Sequence, residues 1–179
     1  YLEKQGYLQC VYGGAVLKQS PTGRVELSDP EIKNYEEKDA IAQEAAKLVK
    51  SGDTIFLEDG TTVMAMPRHL REIGPFTAIT NSLRVAIELS KIEDCTVILP
   101  GGRLYSQRLE LIPLQPEDNL NLFNIDWAFI GVAGITETHF TDYALGERGY
   151  IRHTVIQDSS QTVVLADHSK FGFRATLNM

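Results

Sequence analysis

The sequence has no long uninterrupted apolar stretch, although 43% of its 179 residues are hydrophobic. A membrane-spanning helix needs about 20 consecutive apolar residues, so none is predicted. Residues 1–5 also lack the basic start and the following apolar stretch of a signal peptide. We therefore expect a cytoplasmic protein without a membrane partner.

Cysteine and histidine are scarce and unpatterned. The two cysteines, Cys10 and Cys95, have unrelated contexts that predict neither a metal site nor a disulfide framework. Cys95 opens an apolar stretch and is expected to be a buried thiol. The four histidines show no ligand spacing. The spacing of these residues therefore predicts no metal site. Gly13-Gly14 does not continue into a dinucleotide-binding pattern, so we also expect no cofactor.

An excess of positive charge is also lacking, since the formal net charge is −7 at pH 7. Strong binding of DNA through its phosphates requires a basic surface. These residues by themselves are therefore not expected to bind nucleic acid strongly. The chain begins without Met, so we expect a fragment or a processed piece, and the charge argument concerns these residues only.

Apolar, β-favouring stretches alternate with helical patterns along most of the chain. Strands are predicted over 54–57, 76–80, 95–99, 127–132 and 162–166. Helices are predicted over about 35–50, 62–72 (with Pro67 inside it), 83–90, 114–122 and 145–158. A series of β-then-α units predicts one α/β domain with a mostly parallel, Rossmann-like sheet and helices on both faces.

Five of the predicted strands end in polar or Gly-rich tips. These are Glu58-Asp59-Gly60-Thr61-Thr62, Thr80-Asn81-Ser82, Gly101-Gly102-Arg103, Gly131-Val132-Ala133-Gly134 and Asp167-His168-Ser169-Lys170. In open parallel sheets, ligands bind at the carboxyl ends of the strands, near a switch in strand order. The tips therefore predict one binding site at one edge of the sheet.

The first tip is a candidate phosphate cradle. It lies between an apolar strand and a helical pattern, and a helix start presents unpaired backbone N–H groups and the positive end of the helix dipole. Gly60 permits close approach of an anion, while Thr61 and Thr62 add two hydroxyls. On these local grounds, an ordinary helix N-cap is an equally good interpretation.

The next two tips offer candidate ligand contacts with structural alternatives. Asn81 can bond sugar hydroxyls, because an amide both donates and accepts, or it can cap the next helix together with Ser82. Gly101 and Gly102 are more typical of a turn than of a contact. Arg103 can pair with a phosphate or remain an exposed surface arginine.

The last tip provides a cation. Lys170 lies just past the final strand and can supply a point charge to a phosphate, with a solvated lysine as the alternative. Asp167 can hold Lys170 in place or bond hydroxyls. Glu58, Asp59 and Gly131 complete the set of candidate ligand-binding residues.

Taken in order, the motifs resemble the sensor domain of DeoR-type bacterial transcriptional repressors. The motifs are Glu58-x-Gly60-Thr61-Thr62, Thr80-Asn81-Ser82, Gly101-Gly102-Arg103, Asp126 with Phe129-Ile130-Gly131, and Asp167-x-Ser169-Lys170-Phe171. Residues 2–6 and 13–16 are similar to the exit from that family's winged helix-turn-helix. Many relatives have Asp where Glu58 stands, and the region 136–148 matches loosely.

The resemblance implies a fold like that of ribose-5-phosphate isomerase and CoA transferases. It also implies a phosphorylated sugar or polyol as effector, which changes operator-DNA binding through an N-terminal domain missing here, and a homo-oligomer (dimer or tetramer). Residues 1–17 would be a remnant of the DNA-binding domain, 18–34 a linker, and 35–179 the effector-sensing domain.

The competing interpretation is a sugar-phosphate isomerase of the same fold. That chemistry needs a positioned carboxylate. In the isomerases that the chain resembles, the strand matching residues 126–130 runs into an Asp-Gly-Ala-Asp-type turn, where this chain has Ile130-Gly131-Val132-Ala133. Because apolar residues replace both acids, we predict a domain that binds sugar phosphate and is not an enzyme. Glu58, Asp59 and Asp167 leave the isomerase alternative open.

Overall fold

The computed structural model describes residues 8–11, 14–17, 33–114, 120–143 and 146–179. The strands are β1 (Leu8–Val11), β2 (Gly14–Leu17), β3 (Thr54–Leu57), β4 (Phe76–Thr80), β5 (Cys95–Ile98), β6 (Arg103–Tyr105), β7 (Glu110–Ile112), β8 (Ile125–Gly131), β9 (Gly134–Ile135), β10 (Phe140–Asp142), β11 (Ser159–Leu165) and β12 (Leu177–Asn178). The helices are α1 (Tyr35–Ala46), α2 (Leu83–Leu89) and α3 (Glu147–Asp158), with two 3₁₀ helices, Val63–His69 and His168–Lys170.

The central sheet has five parallel strands in the order β11-β8-β3-β4-β5. From β3 the chain builds outwards through β4 to β5, and from β8 it builds the opposite way to β11. The order therefore switches between β3 and β8, which is where ligand crevices form in such sheets. This arrangement confirms the predicted α/β fold with a mostly parallel sheet.

The core lies on both faces of the sheet, because successive residues of a strand point to opposite sides. Ile55 and Leu57 of β3 belong to a cluster that includes Ala42 of α1. Phe56, between them, packs in a second cluster with Ile151 of α3. Helices thus cover both faces, as the apolar and continuous strand sequences predict.

Several helix boundaries differ from the predicted ones. Helix α1 ends at Ala46 rather than near residue 50, and residues 47–48 form a turn. The predicted helix over 62–72 is the shorter 3₁₀ helix Val63–His69. It contains Pro67, which has no N–H to donate and disfavours a continuous α-helix.

Cys95 is half-buried rather than fully buried, and burial raises the pKa of its thiol to about 11.

A hairpin of β6 and β7 packs against the strand tips. Its backbone bonds to the end of β4: Leu111 N donates to Asn81 O over 2.7 Å, and Leu83 N donates to Leu109 O over 2.9 Å. The predicted helix over 114–122 lies largely outside the described residues, as do residues 1–7 and 18–32 of the predicted DNA-binding remnant and linker. In the parts that are described, no helix has the length and apolar character needed to cross a membrane.

Candidate functional site

A buried ion pair occupies the point where the strand order switches. Glu58 follows β3, and Arg152 of α3 grips it with two bonds, Nε to Oε1 over 2.7 Å and Nη2 to Oε2 over 3.0 Å. Gly131 N, at the end of β8, donates to Oε2 over 3.0 Å. Glu58 and Arg152 are 6% and 8% exposed. Glu58 was predicted to contact the ligand, but both of its carboxylate oxygens already accept hydrogen bonds from the protein.

The same arginine ties the site to the C-terminal strands. Arg152 Nη1 donates to Asp142 at the end of β10 and lies 3.1 Å from the sulfur of Met179. Burial raises the pKa of the Glu58 carboxyl, and the donors of Arg152 and Gly131 act in the opposite direction. Burial disfavours the charge of Arg152, but Glu58 and Asp142 outweigh it and raise the pKa of the guanidinium.

The predicted phosphate cradle lies beside this pair. Met64 N donates to Gly60 O, and Ala65 N donates to Thr62 O, so the first helical hydrogen bonds are made. The backbone N–H groups of Gly60, Thr61 and Thr62 find no acceptor among the described residues. Gly60 has an ordinary backbone conformation, and a Cβ there would meet nothing within 4 Å. Three backbone donors at the start of this helical segment are thus left without a protein acceptor among the described residues.

A buried lysine that the sequence interpretation missed joins the cradle. Lys38 of α1 is 8% exposed, and its Nζ donates to Thr61 Oγ1 over 3.0 Å. It also lies 3.6 Å from Asp167 Oδ2. Burial lowers the pKa of Lys38, Lys170 adds to that effect, and Asp167 opposes it. Lys170 ends the 3₁₀ helix that Asp167 caps, so a second lysine stands at this end of the site.

Asp167 is the acid at this end. It is 1% exposed, and its Oδ1 accepts bonds from Asn34 Nδ2 over 3.0 Å and from Ser169 N over 2.9 Å. Burial works against the carboxylate, but bonds from Ser169 and Asn34 and the charge of Lys38 lower the pKa to about 2. Asp167 therefore faces Lys38 as an anion at neutral pH.

The hairpin end of the site holds a polar network. Ser82 Oγ donates to Asp59 Oδ1 over 3.0 Å, and it also accepts from Val85 N as the N-cap of α2. Arg108 of the hairpin binds Asp59 Oδ2 over 2.9 Å from Nε and 2.8 Å from Nη2. The structural role of Ser82 is thus present, together with a contact to a candidate ligand residue.

Asn81 is buried within that network. Its Nδ2 donates to Glu110 Oε1 over 3.1 Å, while its Oδ1 is buried and finds no partner among the described residues. Glu110 also lies 3.8 Å from Arg108 Nε. The sequence interpretation named neither Arg108 nor Glu110.

The third tip serves the packing of the hairpin. Gly102 has φ +118°, and a Cβ there would lie 2.2 Å from Ile112 O. Gly101 also has a positive φ, of 76°. Arg103 is exposed at the start of β6. The structure therefore supports the interpretation of the two glycines as turn residues. Gly131 lies at the site, where its N–H donates to Glu58.

One group could hold a metal by the types and spacing of its side chains. Ligand atoms of Glu37, Asp167 and His168 lie within 4.8 Å of one another. Glu37 already accepts from His168, with 2.5 Å to Nδ1 and 2.6 Å to the backbone N. Lys38 supplies charge to Asp167. These interactions account for the group as protein contacts.

A separate apolar groove runs beside the site. It has a volume of about 680 Å³ and lies between α1 and β11, with Ile41, Leu48, Val163 and Phe171 among its lining residues. It does not include the cradle, Lys38 or the hairpin network. The predicted site is therefore a polar edge rather than this groove.

Solved structures place the fold. The chain superimposes on ribose 5-phosphate isomerase A from Methanocaldococcus jannaschii with a TM-score of 0.56 and 24% identity, over 78% of this chain and 55% of that one. It also matches eIF2B delta from Chaetomium thermophilum with a TM-score of 0.58 and 16% identity, over 78% and 50%. At these identities the likeness shows the fold alone, and it confirms the predicted isomerase-like architecture.

Sequence comparison then gives the family. The family described as DeoR C terminal sensor domain matches residues 33–179, so the chain belongs to it. The chain is 38% identical to the uncharacterized HTH-type transcriptional regulator YulB of Bacillus subtilis, over 97% of this chain and 67% of that protein. It is 32% identical to the glycerol-3-phosphate regulon repressor of Escherichia coli K12, over 99% and 70%.

The comparisons therefore place the chain among DeoR-type transcriptional regulators. A third relative, the transcriptional repressor GlcR of Bacillus subtilis, is 36% identical over 96% of this chain and 66% of its own length. These relatives are named as regulators and repressors, and the prediction that the chain is not an enzyme is confirmed.

Proposed function

We propose that this domain binds a phosphorylated sugar or polyol at the carboxyl edge of its central sheet. The observation that carries the proposal is the position of Lys38, a buried lysine 3.0 Å from Thr61 Oγ1. Burying an ammonium group is costly unless an anion accompanies it. Asp167 at 3.6 Å provides one, and the ligand phosphate would provide a second.

The phosphate would rest on the backbone N–H groups of Gly60, Thr61 and Thr62, between Lys38 and Lys170. Such donors at the start of a helical segment are suited to phosphate oxygens. Lys38 and Lys170 would supply the positive charge for the phosphate, beside the carboxylates of Asp167 and Glu37, whose ligand atoms lie within 4.8 Å of each other. The sugar hydroxyls would then reach towards Asn81 and Asp59 at the hairpin end.

The relatives support the same class of ligand. One of them is named for glycerol-3-phosphate, a phosphorylated polyol. For this chain, the name of that relative supports only the class of effector, a phosphorylated sugar or polyol.

Binding would act on operator DNA through a DNA-binding portion of the whole regulator, where the proposed effector favours one conformation over another. The coupling between the two sites should be on the order of 1–3 kcal/mol. Arg152 joins Glu58, two residues before Gly60, to Asp142 of β10 and to Met179, so a change at the cradle would pass to the C-terminal strands through Arg152. A homo-oligomer, dimer or tetramer, stays a prediction that light scattering can test.

A thermal-shift screen tests the proposal. Phosphorylated sugars and polyols are compared with their unphosphorylated counterparts and with inorganic phosphate. A ligand at a hundred times its dissociation constant should stabilise the fold by roughly 2.7 kcal/mol. If no phosphorylated compound raises the melting temperature above its unphosphorylated counterpart, the proposal is wrong.

A further inference from the structure

The amide of Asn81 has one end committed and one end open. Its Nδ2 donates to Glu110 Oε1 over 3.1 Å. Asn81 is only 1% exposed, and its Oδ1 is buried without a donor among the described residues. A buried acceptor left without a hydrogen bond costs about 1–3 kcal/mol. A group that donates to this oxygen would recover that free energy.

Glu110 determines which end is open. An ionised carboxylate accepts hydrogen bonds and donates none, so it pairs with the Nδ2 end of the amide and not with the Oδ1 end. Arg108 Nε lies 3.8 Å from Glu110 Oε2, so a positive charge faces this carboxylate. Glu110 itself is 3% exposed and belongs to β7 of the hairpin. The orientation of the amide is thus set from the hairpin.

The open oxygen lies in the same network as the cradle. Asn81 precedes Ser82, whose Oγ is 3.0 Å from Asp59, and Asp59 precedes Gly60 in the chain. A phosphate at the cradle would therefore place the far end of a small sugar near Asn81. Because the oxygen is covered, a ligand group can bond to it only after residues over it move aside, with the bond from Asn81 to Glu110 kept.

We propose that Glu110 is a positioning residue that turns the Asn81 carbonyl towards the ligand. The site would consequently select phosphorylated ligands that present a hydroxyl or amino donor there, over ligands that present a carboxylate or a second phosphate. Oxygens of such anions have no hydrogen to donate, and they meet a carbonyl dipole of the wrong sign beside the carboxylates of Asp59 and Glu110. This inference rests on the proposed function of the site.

Calorimetric titration of matched ligand pairs tests the selection. The pairs are glycerol 3-phosphate with 3-phosphoglycerate, sorbitol 6-phosphate with 6-phosphogluconate, and fructose 6-phosphate with fructose 1,6-bisphosphate. In each pair with a measurable affinity, the compound with the neutral end should bind at least roughly tenfold more tightly than the compound with the charged end. Like charge and an unpaired acceptor both oppose binding of the charged compound.

Glu110→Gln tests the positioning role. A glutamine both donates and accepts, so it permits either orientation of the Asn81 amide, and the affinity ratio of each pair should fall towards one. Glu88→Gln removes an exposed acid from α2 and should leave the ratios unchanged. Asn81→Leu removes the oxygen altogether, so it should weaken the neutral-ended ligand and leave the charged one within about twofold.

The outcomes separate the two proposals. If phosphorylated compounds bind but the two members of each pair bind equally, the selection is wrong and the phosphate site stands. A folded Glu110→Gln variant that keeps the wild-type ratio removes Glu110 from the positioning role. If none of the six compounds and no inorganic phosphate binds, the proposed function fails, and this inference fails with it.

Discussion

Glu58 and Arg152 lie 94 residues apart in the chain and form a two-bond ion pair at the switch point of the sheet. Replacing one member leaves a buried charge without its partner. Arg152→Met should therefore lower the free energy of unfolding by about 3–5 kcal/mol, measured by urea denaturation.

The double variant Glu58→Gln with Arg152→Met should be more stable than Arg152→Met, because the unpaired charge is gone. Arg71→Met, at an exposed position, should change the unfolding free energy by less than about 0.5 kcal/mol. A loss below about 1 kcal/mol in Arg152→Met would show that the pair is not the strong tie that its geometry indicates.

Lys38 should determine affinity for the phosphate group. Lys38→Met keeps much of the side-chain volume but removes the charge and the bond to Thr61. A hydrogen bond to a charged group contributes about 1.5–3 kcal/mol, so the dissociation constant of a phosphorylated ligand should rise roughly 10- to 100-fold.

The unphosphorylated analogue should be affected far less by that change, and calorimetry with both ligands makes the comparison. Lys47→Met is the control, since Lys47 follows the same helix but pairs with Glu44 at the exposed surface. Equal losses for both ligands would remove Lys38 from the phosphate site.

Asp167 should contribute an acid-sensitive part of the stability. Its pKa is lowered from 3.8 to about 2 in the folded protein. A carboxyl with a lowered folded pKa stabilises the fold above its unfolded pKa, and that contribution is lost as the pH falls from about 4 to about 2.

Melting temperatures measured across that window should consequently fall less steeply for Asp167→Asn than for the unchanged protein. Asp158→Asn, at an exposed position at the end of α3, should keep the original slope. If Asp167→Asn and the unchanged protein have parallel profiles, the bonds from Asn34 and Ser169 do not stabilise the ionised form as the structure indicates.

Two glycines of the strand tips should respond oppositely to alanine. At Gly60 the added Cβ meets nothing within 4 Å, so the free energy of unfolding should change by less than about 1 kcal/mol. The methyl group would nevertheless occupy the space beside the proposed phosphate donors, and ligand affinity should fall.

Gly102→Ala is the matched comparison. Its Cβ would lie 2.2 Å from Ile112 O at a φ of +118°, so the loss of stability should be several-fold larger than at Gly60. Thermal unfolding and ligand titration of both variants measure the two effects. A destabilised Gly60→Ala with unchanged affinity would make Gly60 a structural residue.

Local sequence patterns predicted much of the fold. The strands Thr54–Leu57 and Phe76–Thr80 have the bounds expected from their apolar and β-branched residues. The helix predicted over 62–72 is the shorter 3₁₀ helix Val63–His69, and it contains Pro67, whose missing N–H disfavours a continuous α-helix. Helix ends were less accurate, as for α1, since the last turns depend on packing as well as on propensity.

Two residues of the candidate site left a signal that the sequence interpretation did not use. Lys38 stands three and four residues before Ile41 and Ala42, on the buried stripe of α1. Arg152 stands three residues before the buried Val155 of α3 in the same way. A charged residue on a core-facing stripe indicates a buried partner, but helical spacing does not say which residue that partner is.

The sequence by itself determined the alternation of strands and helices, the order of polar strand tips, and the resemblance to the DeoR sensor family. These follow from neighbours in the chain, whose periodicity decides local structure. Only the tertiary structure decided the partners of three side chains: Arg152 binds Glu58, Lys38 donates to Thr61, and Asn81 donates to Glu110. Each contact joins residues on different elements, and the distance between them depends on strand order and hairpin packing rather than on their separation in the chain.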